Sequence, residues 1–142
     1  MKRPVLFLGL DGPVLVPATG THDHDDYLGA AIAPYAKPFL HWAAQHFDLR
    51  WLSDRGAAPA VYVASLLSLP ADHVRIAGFT DSKVEALAPH KDFYWVDSEL
   101  IPHEVSWLAQ HGTTDRFFSV DPATGVSVAT KKALEARIAE HR

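Results

Sequence analysis

Short apolar runs alternate with longer stretches of helical period along this chain. Residues 4–10 (PVLFLGL) form an unbroken apolar run that stops at Asp11-Gly12-Pro13. A run of that length bounded by turn formers predicts a strand buried on both sides. Residues 48–52 (DLRWL), 73–79 (HVRIAGF), 92–96 (DFYWV) and 116–120 (RFFSV) predict four more short strands. Between them the apolar positions fall three and four apart. Helices are predicted over 38–47, 59–69, 102–111 and 130–141, with a short one over 82–87, where Ser82 and Glu85 form a capping-box pattern. Residues 14–26 carry Pro, Gly, Thr and the cluster His22-Asp23-His24-Asp25-Asp26 with no sustained period, and predict a loop or flap. Strands in alternation with helices predict an α/β fold. The expected form is a mostly parallel five-stranded sheet with helices on both faces.

The chain has 142 residues, which suits one domain over 1–142 with a core of its own. Apolar residues make up 48% and the formal charge is −4, a balance that excludes a disordered chain. No apolar run is long enough for a membrane span, and no signal-peptide pattern follows Lys2 and Arg3. A soluble cytoplasmic protein with no membrane partner is the expectation. The absence of cysteine removes disulfides, thiolate metal sites and thiol nucleophiles. The acidic balance argues against binding nucleic acid by bulk charge.

In open parallel sheets, ligands sit beyond the carboxyl ends of the strands. The polar residues there are Asp11 and Gly12 after the first strand, Ser53, Asp54 and Arg55 after the second, Asp97, Ser98 and Glu99 after the fourth, and Asp121 after the fifth. Any one of them alone reads as an ordinary cap or turn residue. The joint pattern carries more information.

The stretch Leu6-Phe7-Leu8-Gly9-Leu10-Asp11-Gly12-Pro13-Val14-Leu15, then Trp51-Leu52-Ser53, then Lys83, then Tyr94-Trp95-Val96-Asp97-Ser98-Glu99, resembles the four motifs of the haloacid dehalogenase (HAD) superfamily in order and strand context. Lys91 is a poorer match to the third motif than Lys83. Two strings, Trp95-Val96-Asp97-Ser98-Glu99 and Val120-Asp121-Pro122-Ala123-Thr124-Gly125, are also similar to the HAD domain of Swiss-army-knife RNA-repair proteins. The resemblance implies a three-layer Rossmann-like HAD fold with a minimal cap. It implies phosphate-monoester chemistry through an aspartyl phosphate, with Asp11 as general acid and base. Ser53 and Lys83 would hold the phosphate. Mg²⁺ would be held by Asp97, by the Asp11 backbone carbonyl and by Glu99.

Two positions depart from that pattern. Gly9 stands where the family places its nucleophilic aspartate, and Ser98 stands where related sequences often carry a second acid. Glycine offers no attacking oxygen and removes a metal carboxylate, so Mg²⁺ binding is weakened. Deleting a nucleophile costs on the order of 10⁶ in kcat in other enzymes. The first expectation is therefore a weak or inactive phosphatase that binds a phosphorylated ligand or partner. The alternative is an active Mg²⁺-dependent phosphohydrolase in which Asp11 activates a metal-bound water, with nucleotide or RNA-end phosphates as substrates.

Other features are weaker. His22 and His24, two residues apart, share one face of an extended segment and could chelate a metal; a solvated flap is the simpler reading. Arg55 suits bidentate phosphate binding, but is equally a surface residue at a helix start. The four tryptophans read as core rather than as a base-stacking platform. No dinucleotide or P-loop glycine motif is present.

Overall fold

The computed structural model describes residues 3–17, 30–54, 57–69 and 74–141. In chain order the elements are β1 (Val5–Leu8), β2 (Leu15–Pro17), β3 (Ala30–Ile32), α1 (Ala36–His46), β4 (Asp48–Trp51), α2 (Ala57–Leu66) and β5 (Val74–Ile76). Then follow α3 (Val84–Leu87), β6 (Phe93–Asp97), α4 (Pro102–Gln110), a 3₁₀ turn (Thr114–Arg116), β7 (Phe117–Ser119) and α5 (Val128–Glu140).

Five strands form one parallel sheet in the order β5-β4-β1-β6-β7. β1 lies at its centre, with Leu8 in register with Trp51 of β4 and Val96 of β6. All four residues of β1 are buried, which is why its sequence is apolar without alternation. The α/β architecture, with helices on both faces, is the one expected. α1, α2 and α5 cover one face through Phe39, Leu40, Val63, Leu67 and Leu134, packed on Leu6, Leu8, Leu49, Trp51, Tyr94 and Val96. The other face is smaller: Leu87 of α3 and Leu108 of α4 pack on Val5, Phe7, Phe93 and Trp95.

The expected elements all form, with shifted ends. The stretch 14–26, expected as a loop or flap, opens with a short strand. Leu15–Pro17 pairs antiparallel with Ala30–Ile32 to make a separate two-stranded ladder. Three residues are too few for a period to show in the sequence. The third sheet strand is shorter than expected, Val74–Ile76, and sits at the sheet edge. The helix expected from 82 starts at Val84, because Glu85 folds back onto the preceding turn. His22-Asp23-His24-Asp25-Asp26 and Arg55 lie outside the described residues.

Candidate active site

The sheet order reverses at β1: the chain moves outward through β4 and β5, then returns to β6 and β7 on the other side. The carboxyl end of β1 is therefore the topological switch point, where parallel sheets leave a crevice. The ladder continues one step past each strand. Gly9 N–H donates to Val96 O at 2.9 Å, Leu52 N–H to Leu8 O at 2.9 Å, Ala77 N–H to Trp51 O at 2.8 Å and Val120 N–H to Asp97 O at 3.0 Å. These bonds bring residue 9, the 52–53 segment and Asp97 to one edge.

Leu10 to Leu15 then closes a tight turn. Val14 and Leu15 N–H both donate to Leu10 O, and Gly12 N–H donates to Leu15 O at 2.8 Å. Gly12 has φ +99°, and a Cβ there would lie 2.7 Å from Ser98 Cβ. Both the backbone conformation and the close approach demand glycine. Ser98 is itself fixed, since its carbonyl accepts from Ser119 Oγ at 2.9 Å. This packing role of Ser98 left no signal in the sequence.

The side chain that fills the crevice is Asp97. Only 4% of Asp97 is exposed. Its Oδ2 accepts from Lys83 Nζ at 2.9 Å, and its Oδ1 from its neighbour Ser98 N–H at 2.8 Å. It lies directly over residue 9: a Cβ placed on Gly9 would come 2.5 Å from Asp97 Cγ and Oδ1 and 2.6 Å from Oδ2. The Asp97 carboxyl group thus occupies the space that any side chain at residue 9 would need. Burial pushes its pKa up from the ordinary carboxylate value, against the opposing pull of the Lys83 ammonium and the Ser98 amide.

Lys83 is positioned by Glu85. The Glu85 carboxylate accepts three backbone N–H groups, from Thr80, Asp81 and Ser82, each at 3.0 Å. Those amides hold its pKa below the usual value. The capping pattern in the sequence pointed to Glu85, but its hold on three successive amides was not legible there.

The remaining expected residues sit around this centre. Ser53 is half-buried and lines an open cavity of about 430 Å³ with Asp54, Ala77, Gly78, Phe79 and Asp81. Asp11 is exposed at the rim of the β1 turn and bridges by backbone to Leu15. Glu99 and Lys91 are exposed. Asp121 makes a local turn, with Oδ1 accepting from Ala123 N–H at 2.9 Å. Residue 9, Lys83 and Asp97 are in contact range, and Ser53 shares the strand-end edge.

The donors do not make a ready Mg²⁺ site. Mg²⁺ requires a compact octahedron of oxygens. Asp97 is the single buried carboxylate here, one of its oxygens is on an ammonium group and the other on an amide, and Gly9 adds no ligand. Among the described residues no group of three ligating side chains comes together.

Neither a protein-family model nor a curated protein matches the sequence. Among solved structures, the chain is similar to Fcp1, an essential RNA polymerase II CTD phosphatase, at 13% identity and a TM-score of 0.51. It is likewise similar to a variant of fission yeast Fcp1 bound to beryllium fluoride, at 14% identity and a TM-score of 0.53. The likeness is one of fold, a parallel α/β sheet with helices on both faces. Each match covers 97% of this chain and 50% of the other, so the chain spans half the length of these phosphatases. No described helix is long and apolar enough to cross a membrane.

Proposed function

We propose that this chain is a HAD-like protein with a degenerate, minimally capped pocket, which receives a phosphate group and does not turn it over through an aspartyl phosphate. The observation that carries this reading is the Asp97 carboxyl group packed over Gly9, within 2.6 Å of where a Cβ would be. No nucleophile can be built on residue 9 while Asp97 stays there. Lys83 and Ser53 are the grips for the phosphate: a cation at the start of α3 and a hydroxyl just past the end of β4. The likeness to phosphatases supports the ligand class by analogy of fold. It leaves the particular ligand, a small phosphorylated molecule or a nucleotide or RNA end, to experiment.

The Lys83–Asp97 ion pair sets a cost on binding. An incoming phosphate must draw the ammonium away from a buried carboxylate. Binding is therefore weak in the native protein, and strengthens when that competition is relieved. Hydrolysis by a metal-bound water at Asp11 has less support, since the buried donors fall short of a Mg²⁺ site and Asp11 lies exposed at the rim.

The test pairs binding with turnover. Titration with tungstate and assay on an aryl phosphate with Mg²⁺ should show saturable binding without turnover. Lys83→Gln should abolish that binding. Robust turnover in the native protein, lost in Asp11→Asn, would overturn the proposal in favour of a working hydrolase.

A further inference from the structure

The second sheet face is unevenly covered. α3 and α4 pack over β1, β6 and β7, while the β4–β5 end of the same face carries charged residues. β4 alternates half-buried and buried residues, so Asp48 and Arg50 point away from the face that buries Leu49 and Trp51. The parallel register sets Arg50 directly beside Arg75 of edge strand β5. Partners in register share a face, and neighbouring strands lie about 4.8 Å apart. The backbone thus sets two arginines at neighbouring positions of one face.

One carboxylate answers them. Asp48 Oδ2 accepts from Arg50 Nη2 at 2.8 Å. That bond holds the Asp48 pKa below its usual value, with smaller pulls from Arg75 and His90. His90 Nε2 stands 3.4 Å from Arg50 Nη1, so the imidazole meets the same guanidinium edge-on. Arg50 Nε is buried with no acceptor. Arg75 is exposed and makes no ion pair among the described residues. The nearby Asp92 is engaged by Arg116 at 3.1 Å. Among the described residues, two arginines against one carboxylate leave the patch a net cation. Like charges directly opposite each other on a sheet destabilise it, and a bridging anion would remove that penalty. A planar guanidinium pair suits a tetrahedral oxyanion, which can take parallel N–H bonds from each.

We propose that the β4–β5 end of this sheet face is a binding site for a phosphate or sulfate dianion, held jointly by Arg50 and Arg75. It lies on the flat of the sheet and stands independently of the pocket around Gly9. Arg75 closes the site from the edge strand, beside an Arg50 that Asp48 holds at 2.8 Å.

The test titrates the intact ¹⁵N-labelled protein with inorganic phosphate and with sulfate, at ionic strength held constant with chloride. Saturable shifts of the Arg50 and Arg75 amides are expected with both anions. Arg75→Gln should weaken that response about tenfold, the loss of one charge-assisted pair. Arg75 is exposed, so the variant should keep the native spectrum elsewhere. Lys83→Gln should leave the response intact. Three results would each overturn the proposal: no saturable shift on β4–β5 with either anion, an Arg75→Gln affinity equal to native, or a response that disappears only in Lys83→Gln. The last would assign all oxyanion binding to the strand-end pocket.

Discussion

A methyl group at residue 9 would collide with a carboxyl group that is held at both oxygens. Asp97 cannot swing aside without giving up Lys83 at 2.9 Å and the Ser98 amide at 2.8 Å. Forced overpacking of this kind costs about 1–3 kcal/mol. Gly9→Ala should therefore lower the urea unfolding free energy by that amount. Gly9→Asp should lower it at least as far, because it adds a second carboxylate against the first, and should not by itself create aryl-phosphate turnover. An unchanged unfolding midpoint in Gly9→Ala would show that Asp97 is free to move. Asp97→Asn keeps the shape and removes the charge. Burial raises the Asp97 pKa above its unfolded value, so between those two values the folded state holds more protons than the unfolded. Its contribution to stability is present below the unfolded pKa and is lost as pH rises through the folded one. In a comparison of unfolding free energy against pH, the native protein should lose this component across that window and Asp97→Asn should not. The same variant should bind tungstate more tightly, since Lys83 no longer has a resident anion.

The turn that carries Lys83 shows the limits of reading elements from pattern. Ser82 and Glu85 predict a capping box, yet the Ser82 hydroxyl meets Val84 N–H at 3.4 Å while Glu85 gathers the amides of 80–82. Spacing shows that the two side chains can meet; which amides they take depends on where the chain arrives from β5. The Glu85 pKa is lowered by those three amides, so its contribution is present above the unfolded value and lost as pH falls through the folded one. Glu85→Ala should accelerate amide exchange at 80–82 and weaken tungstate binding through a misplaced Lys83, with the sheet amides unchanged. Exchange rates at 80–82 equal to native would remove Glu85 from that positioning role. The five strands were legible because each buried run is bounded by Gly, Pro or Asp, and the grouping of residue 9, Lys83 and Asp97 was expected from the resemblance of their motifs to the HAD pattern. The β2–β3 ladder was not, being three residues a side. Nor was the Lys83–Asp97 pair: the sequence shows that Gly9 lacks an oxygen, and only packing shows that its vacated volume is taken by a neighbouring acid.

Across the molecule, the chain's two faces are closed by different means, and the closing helix α5 depends on a contact between residues 47 apart. Tyr94, on β6 beside the central strand, is 1% exposed and sits against Phe47 and Phe118. Its hydroxyl meets His141 Nδ1 at 2.7 Å, just past the end of α5, and the rings stack at 5.7 Å. His141 Nε2 reaches Asp115 Oδ2 at 3.1 Å in the 3₁₀ turn before β7. In the neutral imidazole, Nε2 donating to the carboxylate leaves Nδ1 to accept from the tyrosine, and the series Tyr94–His141–Asp115 runs in one direction. It ties the last turn of α5 to the sheet centre and to the β7 entry at once. Tyr94→Phe preserves the ring packing and deletes a single donor. His141 retains partial solvent contact, with 23% of its side chain exposed, so water can replace the lost partner. The cost should then be that of one net hydrogen bond, about 1 kcal/mol, and not the larger penalty of a buried orphan. For a chain of this size that corresponds to a fall in Tm of about 4 °C. Because the bond secures one end of one helix, amide exchange should rise in the final turn of α5 ahead of β1 and β6. A loss spread evenly over the sheet would mean that the hydroxyl supports the core as a whole, and an unchanged Tm would mean that α5 is held by Leu134 and its apolar neighbours alone.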